Sequence, residues 1–369
     1  MRRSGGQLSR TGVPPVPRWF GTGETPVLLA GIIVCLLTTC LARADVPYYG
    51  TQSALNPAGA TATNIDILWW RTFWLLTAIY VIVVILALIP MFRDWGLSGV
   101  PPEHISPTAR EERRLITIVS SAVGITTMIL FVLLFGDFRT GIKNRSLESE
   151  ADPLTISVIG HQWWWDIAYQ DPKPNKWISD ANEIHIPVNR PVRLDLSSAD
   201  VIHSFWAPNL SGKKDLVPGH PTSLTIRAQR TGTYWAQCAE YCGYQHAHMR
   251  LAVIVQTPEE YQAWAEAARQ PAPTPVTELQ KRGMQVFMGR TCSMCHTIQG
   301  TRAGGRLGPG LTHIASRATI AAGSLPNTMG HLGGWIVDPQ GIKPGTNMPQ
   351  NALSADDLQA VLEYLESLK

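Results

Sequence analysis

The chain has 369 residues, of which 45% are hydrophobic and only 16% are charged. This composition is apolar for a soluble protein of this length and indicates membrane segments. The formal net charge is +3, but residues 1–44 hold five basic residues and one acidic residue, so the remainder carries −1. The basicity therefore belongs to a targeting segment, and no nucleic-acid partner is expected.

Residues 1–44 have the pattern of a secretory signal peptide. Four arginines precede the apolar stretch 27–41, and Ala42-Arg43-Ala44 supplies the small residues of a cleavage site. The stretch is shorter than the about 20 residues that a membrane span needs. We therefore expect export and cleavage, with lipidation at Cys40 and a start codon further along the chain left open as alternatives.

A transmembrane hairpin is predicted over residues 45–150. Two apolar runs, at about 67–89 and 115–135, are each long enough to span a bilayer. Arginines are concentrated in the segment between the runs, which places that segment in the cytoplasm by the positive-inside rule. The predicted location is the bacterial inner membrane, in contact with lipid, with everything after the second span on the periplasmic side.

The pattern changes over residues 151–257, where short β-type runs are separated by turn residues. Such spacing predicts a compact β-sandwich or barrel. The runs are 154–159, 183–187, 192–196, 233–237 and 251–255.

Residues 258–275 are predicted to form a short helix, to about Ala268, followed by a stiff proline-rich linker. The last segment, 276–369, is predicted to be a separate small helical domain. Its closing helix begins at Ser354, and Asp357 three residues later suggests a capping box.

The loop 238–249 concentrates soft metal ligands. Two cysteines, a histidine and a methionine lie within twelve residues, a donor set that favours copper, and His203 is the upstream residue that would complete the site. One cysteine would suffice for a mononuclear blue-copper centre, whereas two thiolates that bridge indicate two copper ions. The loop ligands are Cys238, Cys242, His246 and Met249.

Three other kinds of site would use part of this donor set. A redox-active dithiol or a copper-delivery site would leave His246 and Met249 without a role. Zinc would accept cysteine and histidine but has no use for a thioether. His248, also in the loop, is interpreted as a surface or structural histidine.

The sequence Cys292-Ser-Met-Cys295-His296 is the attachment pattern of a c-type haem. The two thiols can form thioethers to the haem, which places His296 below the iron as the proximal ligand. Met348 is the preferred sixth ligand, and Met329 is its rival. His313 and His331 could also compete, although a methionine raises the potential and suits an electron donor.

These residues together resemble cytochrome c oxidase subunit II. The resemblance rests on the loop Cys-x-Glu-x-Cys-Gly-x-x-His-x-x-Met, on Asp200-Val-Ile-His203-Ser-Phe, on Lys214-Asp-Leu-Val-Pro-Gly219 and on Gly160-His-Gln-Trp-Trp-Trp165. It implies a cupredoxin-like domain with a binuclear CuA centre, in which the backbone carbonyl of Glu240 is a further ligand. It also implies that the Glu240 side chain faces a magnesium ion at the border with subunit I.

Trp163 matches the aromatic residue at which electrons reach CuA in this family. A solvent-facing indole beside the copper pair would give an incoming electron a short path. For the neighbouring Trp165 ordinary core packing is expected.

The haem segment resembles a class I cytochrome c. Gly308-Pro309-Gly-Leu311 is similar to the stretch whose proline carbonyl orients the axial histidine, and Gly345-Thr-Asn-Met348-Pro349 resembles the distal methionine loop. Gly283 and Phe287 are expected to face Tyr364 at a helix crossing. A haem domain behind a CuA domain resembles the caa-type oxidases.

The resemblance implies a subunit that passes electrons from its haem through CuA to the haem-copper centre of subunit I, where oxygen is reduced and protons are pumped. Its partners would be subunit I and other oxidase subunits, and its donor a soluble cytochrome c or a quinol-oxidising complex. The alternatives are the CuA-bearing subunit of a nitric oxide reductase and, outside enzymes, a copper metallochaperone. One departure is the absence of the family's Trp-Thr pair before the second span, which leaves the role of Glu111 and Glu112 open.

Overall fold

The computed structural model describes residues 50–92, 108–149, 152–171 and 177–369. The predicted signal peptide, including Cys40, lies outside the described residues. In chain order the described residues form two long helices, a β-sandwich and a small helical unit. This order confirms the predicted multidomain fold class.

The two long helices are α1 (Ala60–Phe92) and α2 (Ala109–Ser146). Each contains one predicted apolar run and is long and apolar enough to cross a membrane. The 33 residues of α1 extend over about 50 Å at the rise of an α-helix. Asn64 Nδ2 donates to Asn144 Oδ1 at 2.8 Å and so links the start of α1 to the end of α2.

A capping box determines where α2 begins. The Thr108 hydroxyl accepts from the Glu111 backbone N–H at 3.4 Å, and the Glu111 carboxylate accepts from the Thr108 N–H at 2.7 Å. Both otherwise unpaired donors at the helix start are thereby satisfied. Of the two glutamates in this region, Glu111 therefore has a local structural role.

The β-sandwich consists of two five-stranded sheets, with strand orders β3-β2-β1-β5-β8 and β4-β10-β9-β6-β7. The pairs β1–β5 and β4–β10 are parallel, and the other pairs are antiparallel. The strands are β1 (Leu154–His161), β2 (Trp164–Tyr169), β3 (Ile178–Ala181), β4 (Glu183–Pro187), β5 (Val192–Ser198), β6 (His203–Trp206), β7 (Lys214–Leu216), β8 (Thr222–Ile226), β9 (Gly232–Cys238) and β10 (Arg250–Gln256).

Alternation along the strands places the core between the two sheets. In β1 every second residue from Ile156 onward is buried, as expected for a strand with one face on a core. Trp165 and Phe205 are fully buried there, with their rings 6.3 Å apart edge to face. Trp165 thus has the packing role expected for it.

The C-terminal part consists of six helices and one small hairpin, namely α3 (Pro258–Ala268), α4 (Glu278–Gly289), α5 (Cys292–Cys295), β11 (Thr319–Ile320), β12 (Leu325–Pro326), α6 (Met329–Val337), α7 (Pro339–Ile342) and α8 (Ala355–Glu366). Helix α3 packs into the sandwich core through Tyr261 and Ala265. Helices α4 and α8 cross in a second core, where the Phe287 and Tyr364 rings lie 6.1 Å apart.

Only half of the predicted capping box at Ser354 forms. The Ser354 hydroxyl accepts from the Asp357 N–H at 3.2 Å, but the Asp357 carboxylate turns to Arg282 of α4, whose Nη2 lies 2.9 Å away. A guanidinium is a stronger partner for a carboxylate than a single backbone N–H. The side chain that suggested a local cap therefore links α8 to α4.

Candidate metal and haem sites

The predicted copper ligands come together at one end of the sandwich. Strand β9 ends at Cys238, and the loop that follows leads through Met249 into β10. His203 begins β6, which pairs with β9 so that Phe205 lies opposite Cys238. Sheet pairing therefore places the distant histidine beside the loop.

The donor atoms of these residues form a continuous cluster. The Sγ atoms of Cys238 and Cys242 lie 3.7 Å apart, and Cys238 Sγ lies 3.2 Å from the Glu240 carbonyl oxygen. The remaining distances are 3.8 Å from His203 Nδ1 to Cys238 Sγ, 3.6 Å from His246 Nδ1 to Cys242 Sγ and 3.9 Å from Met249 Sδ to Cys242 Sγ. All six predicted ligand residues thus contribute an atom to one cluster.

The electrostatics of the cluster suit a cation. Both cysteines are free thiols and buried. The neighbouring Cys242 thiol, and after it the His203 ring, lower the pKa of the Cys238 thiol against the opposing effect of burial. The same proximity raises the pKa of Cys242. One thiolate therefore forms readily, and a bound metal ion would favour the second.

Asp200 orients the upstream histidine. Its Oδ1 lies 2.8 Å from His203 Nε2, and its Oδ2 accepts from the Gln162 N–H at 2.7 Å. With Nε2 engaged by the carboxylate, Nδ1 is the ring nitrogen that faces Cys238. Such a carboxylate partner is the usual support of a metal-binding imidazole.

Two thiols, two imidazoles, a thioether and a carbonyl in one buried cluster are a donor set that fits copper. One ligand atom from each of His203, Cys238 and Cys242 lies within 4.8 Å of the other two. His248 is exposed, and its Nδ1 lies 2.8 Å from Gln245 Oε1. The set fits copper better than zinc because zinc does not use a thioether.

The predicted haem attachment residues line a cavity of about 370 Å³. Helix α5 carries Cys292 and Cys295, and the chain leaves it at His296, whose Nδ1 lies 2.8 Å from the Pro309 carbonyl oxygen. Burial lowers the pKa of His296, which favours the neutral ring that binds iron. A Cβ at Gly308 would lie 2.7 Å from His296 Cε1, so only glycine permits this close approach.

The cavity wall is mainly apolar, as a haem requires, and it includes Met348. Gln340 Nε2 donates to the Thr346 and Met348 carbonyls at 2.7 and 2.9 Å and so supports the methionine loop. The apolar wall includes Phe287, Leu307, Leu311, Trp335, Ile336, Val361 and Leu365. The residues present therefore fit a covalently attached haem.

The three rival ligands lie elsewhere. Met329 begins α6 and does not line the cavity. Both ring nitrogens of His313 contact carbonyl oxygens, those of Lys369 at 3.0 Å and Gln270 at 3.1 Å. His331 Nδ1 lies 2.9 Å from the Thr328 hydroxyl. Their positions favour Met348 as the sixth ligand.

The expectation of a solvent-facing indole at Trp163 is wrong. The side chain is only 6% exposed, because the 343–345 segment of the haem domain covers it. Its Nε1 donates to the Cys242 carbonyl at 2.9 Å, and Trp163 also lines the haem cavity. Trp163 therefore lies between the two redox sites and not at the protein surface.

Sequence reasoning missed the residues that join the sandwich to the haem domain. Arg317 forms a largely buried ion pair with Asp180 at 2.9 Å, and Glu183 accepts from the Ala318 N–H at 2.9 Å. Lys343 Nζ donates to the Trp163 carbonyl at 2.7 Å. These partners are 135 to 180 positions apart in the chain, so local patterns gave no signal for them.

Comparison with known families identifies both parts. Residues 175–256 match the family described as "Cytochrome C oxidase subunit II, periplasmic domain", and residues 280–369 match the family "Cytochrome c". The first match covers most of the sandwich and the copper loop. The second covers the predicted haem ligands, helix α8 and nearly all of helix α4.

Relatives that match most of the chain share one name. The chain is 32% identical over 346 residues to "Cytochrome c oxidase subunit 2" of Alkalihalophilus pseudofirmus, covering 91% of this chain and 95% of the relative. It is 27% identical over 365 residues to the protein of that name from Bacillus subtilis, covering 93% and 97%. A solved structure, the periplasmic domain of subunit II of cytochrome oxidase from Bradyrhizobium japonicum, is 35% identical over 32% of this chain and 95% of that chain, with a TM-score of 0.31. The chain belongs to the cytochrome c oxidase subunit II family, a component of the haem-copper oxidases, with a fused C-terminal cytochrome c domain.

Proposed function

We propose that this chain is the electron-transfer subunit of an aerobic respiratory oxidase, carrying electrons from haem c through a binuclear CuA centre to subunit I, where oxygen is reduced to water with proton pumping. One observation carries the proposal. A cluster of six copper-type donor residues and a cavity with a haem attachment sequence lie in the same chain. When bound, the two groups would supply one-electron redox chemistry.

The geometry of the donor atoms supports a specific role for each proposed copper ligand. Cys238 and Cys242 are proposed as the bridging ligands because their Sγ atoms lie 3.7 Å apart. His203 and His246 would each complete one ion, since each has its Nδ1 beside a different cysteine. Met249 and the Glu240 carbonyl would be the weak axial ligands.

In the haem domain, Cys292 and Cys295 are the proposed attachment residues, and His296 and Met348 the axial ligands. The Pro309 carbonyl holds the imidazole by its Nδ1 and leaves Nε2 for the iron. Phe287 and its apolar neighbours exclude water from the cavity, which tunes the potential of a bound haem.

Glu240 is proposed to contact a magnesium ion at the border with subunit I. Its side chain is exposed, and so are the neighbouring rings of Tyr241 and Tyr244, at 74% and 90%. Exposed aromatic residues are enriched where partner subunits bind. This edge of the copper loop is therefore the proposed contact with subunit I.

The two span-capable helices and the family match to a periplasmic domain suggest a membrane-anchored protein. We propose further that residues 1–44 are removed on export and that α1 and α2 anchor the chain among lipids of the bacterial inner membrane. The sandwich, from 151 to 257, and the haem domain, from 276, would then face the periplasm. There a soluble cytochrome c or a quinol-oxidising complex would supply electrons.

Paramagnetic resonance on the detergent-solubilised full chain, loaded with copper, tests the centre directly. We expect hyperfine splitting from two equivalent copper nuclei, together with covalently bound haem in the same preparation. Splitting from a single nucleus would contradict the CuA assignment. Absence of a copper signal, with one Cu(I) ion per chain by metal analysis and no haem, would indicate a metallochaperone, because Cu(I) is diamagnetic. Reduction of nitric oxide instead of oxygen by the assembled complex would favour the reductase alternative.

A further inference from the structure

Lys343 is an unusual residue for the interior of a protein. It is 2% exposed, and its ammonium donates to the carbonyl oxygens of Trp163 at 2.7 Å and Ala321 at 3.1 Å. Among the residues that the structure describes, no carboxylate lies within ion-pair distance of it. Burial lowers the pKa of Lys343 to about 7, as expected for an ammonium removed from water.

The lysine belongs to the segment that leads to the predicted haem ligand Met348. It follows α7, and the next residue, Pro344, accepts a hydrogen bond from Gln245 of the copper loop at 2.8 Å. A Cβ placed on Gly345 would lie 3.4 Å from Trp163 Cη2. The segment 343–345 therefore lies directly against the backbone and the ring of Trp163.

The other edge of the same indole contacts the copper site. Its Nε1 donates to the carbonyl of Cys242, and a Cβ on Gly243 would lie 3.0 Å from Trp163 Cζ2. Trp163 thus lies between the haem cavity and the copper loop and contacts both.

We propose that Lys343 is a positioning residue that holds the methionine-bearing loop of the haem domain against Trp163. The chain's own haem domain then covers the Trp163 indole. The proposal rests on the proposed electron-transfer function and adds the contact through which its two sites are coupled. External donors then meet the haem domain, because Trp163 is covered.

A hydrophobic residue would bury more favourably than an ammonium with two neutral acceptors. What a lysine adds is directional hydrogen bonding to two carbonyls that lie in different parts of the chain. One belongs to the sandwich, and the other, Ala321, belongs to the segment between β11 and β12 of the haem domain. The ammonium therefore fixes three segments relative to one another, which packing alone does less specifically.

The test compares the full chain, carrying haem and copper, with its Lys343→Met and Lys343→Gln variants. Methionine keeps the volume but donates no hydrogen bond, whereas glutamine keeps a shorter, neutral donor. We expect deuterium exchange at the amides of residues 345–348 to rise by about tenfold in Lys343→Met, as the loss of hydrogen bonds from a charged donor implies. The rate of electron transfer from haem to copper after flash reduction should fall in parallel, and Lys343→Gln should be intermediate.

The absorption spectra of both centres should stay unchanged, since Lys343 lines the haem cavity but is not a ligand. The potentials of both centres are measured alongside, and the transfer rates are compared at equal driving force. Lys281→Met is the matched control, because Lys281 is an exposed lysine of the same domain paired with Glu278. If deuterium exchange and the rate of electron transfer are both unchanged in Lys343→Met, the proposal is overturned. If Lys343→Met does not fold, the same result in Lys343→Gln overturns it. A wild-type chain with no transfer from haem to copper would contradict the proposed function instead.

Discussion

The Sγ atoms of Cys238 and Cys242 lie 3.7 Å apart in the copper loop, well beyond the about 2.05 Å of a disulfide bond. Each sulfur also contacts the Nδ1 atom of a different histidine, His203 or His246. Each half of the cluster therefore pairs one sulfur with one imidazole, as two metal ions sharing two thiolates would require.

Replacing Cys242 by serine should abolish the copper pair. A hydroxyl is a poor ligand for copper and does not bridge at neutral pH, so we expect the copper content to fall from two ions per chain to one or none. Metal analysis and paramagnetic resonance measure this result. His248→Ala, in the same loop but exposed, should retain two ions; two ions in Cys242→Ser would contradict the bridging role.

The axial methionine can be identified by replacing Met348 and Met329 separately with alanine. Only Met348 lines the haem cavity, so Met348→Ala should lose the near-infrared band of methionine ligation and should lower the haem potential. Met329→Ala should keep both properties. Retention of methionine ligation in Met348→Ala would mean that another residue occupies the sixth position.

The crossing of α4 and α8 depends on Gly283. A Cβ at this position would overlap the Ala360 carbonyl oxygen, so Gly283→Ala should destabilise the haem domain by about 1–3 kcal/mol through overpacking. Thermal unfolding of the full chain measures the effect. Gly289→Ala, in the same helix with nothing within 4 Å of the added carbon, should be close to neutral.

Glu183 should make the stability of the folded chain depend on pH. Burial raises its pKa from 4.5 to about 7, so between these values the native state holds a proton that the unfolded state has lost. The contribution of Glu183 to the free energy of unfolding therefore falls as the pH rises from 4.5 to about 7, by up to roughly 3 kcal/mol. Glu183→Gln should lack this dependence.

Unfolding midpoints of the wild-type chain and of Glu183→Gln, measured at several pH values from 4.5 to 8, test this expectation. The variant should gain stability relative to the wild type as the pH rises. Glu259→Gln, an exposed glutamate of α3, is the matched control and should follow the wild type. Equal slopes for wild type and Glu183→Gln would show that Glu183 is not buried against the haem domain.

Much of the fold could be predicted because its signals are local. The apolar runs of α1 and α2 and the alternating runs of the sandwich appear directly in the residue pattern. The same holds for His296, whose place at the end of the Cys-x-x-Cys-His pattern predicts a role as haem ligand. Asp357 is a counterexample: a local cap was predicted, but a tertiary contact with Arg282 takes its carboxylate.

The sequence by itself determined which chemistry the chain can perform, because ligand type and spacing along a loop or a short helix are local properties. The tertiary structure alone decided how the two sites meet. Trp163 was expected to face solvent, yet it lies beneath the haem domain, held by Lys343 from 180 positions away. Contacts of that separation depend on how whole domains pack, and packing of this kind leaves no pattern in neighbouring residues.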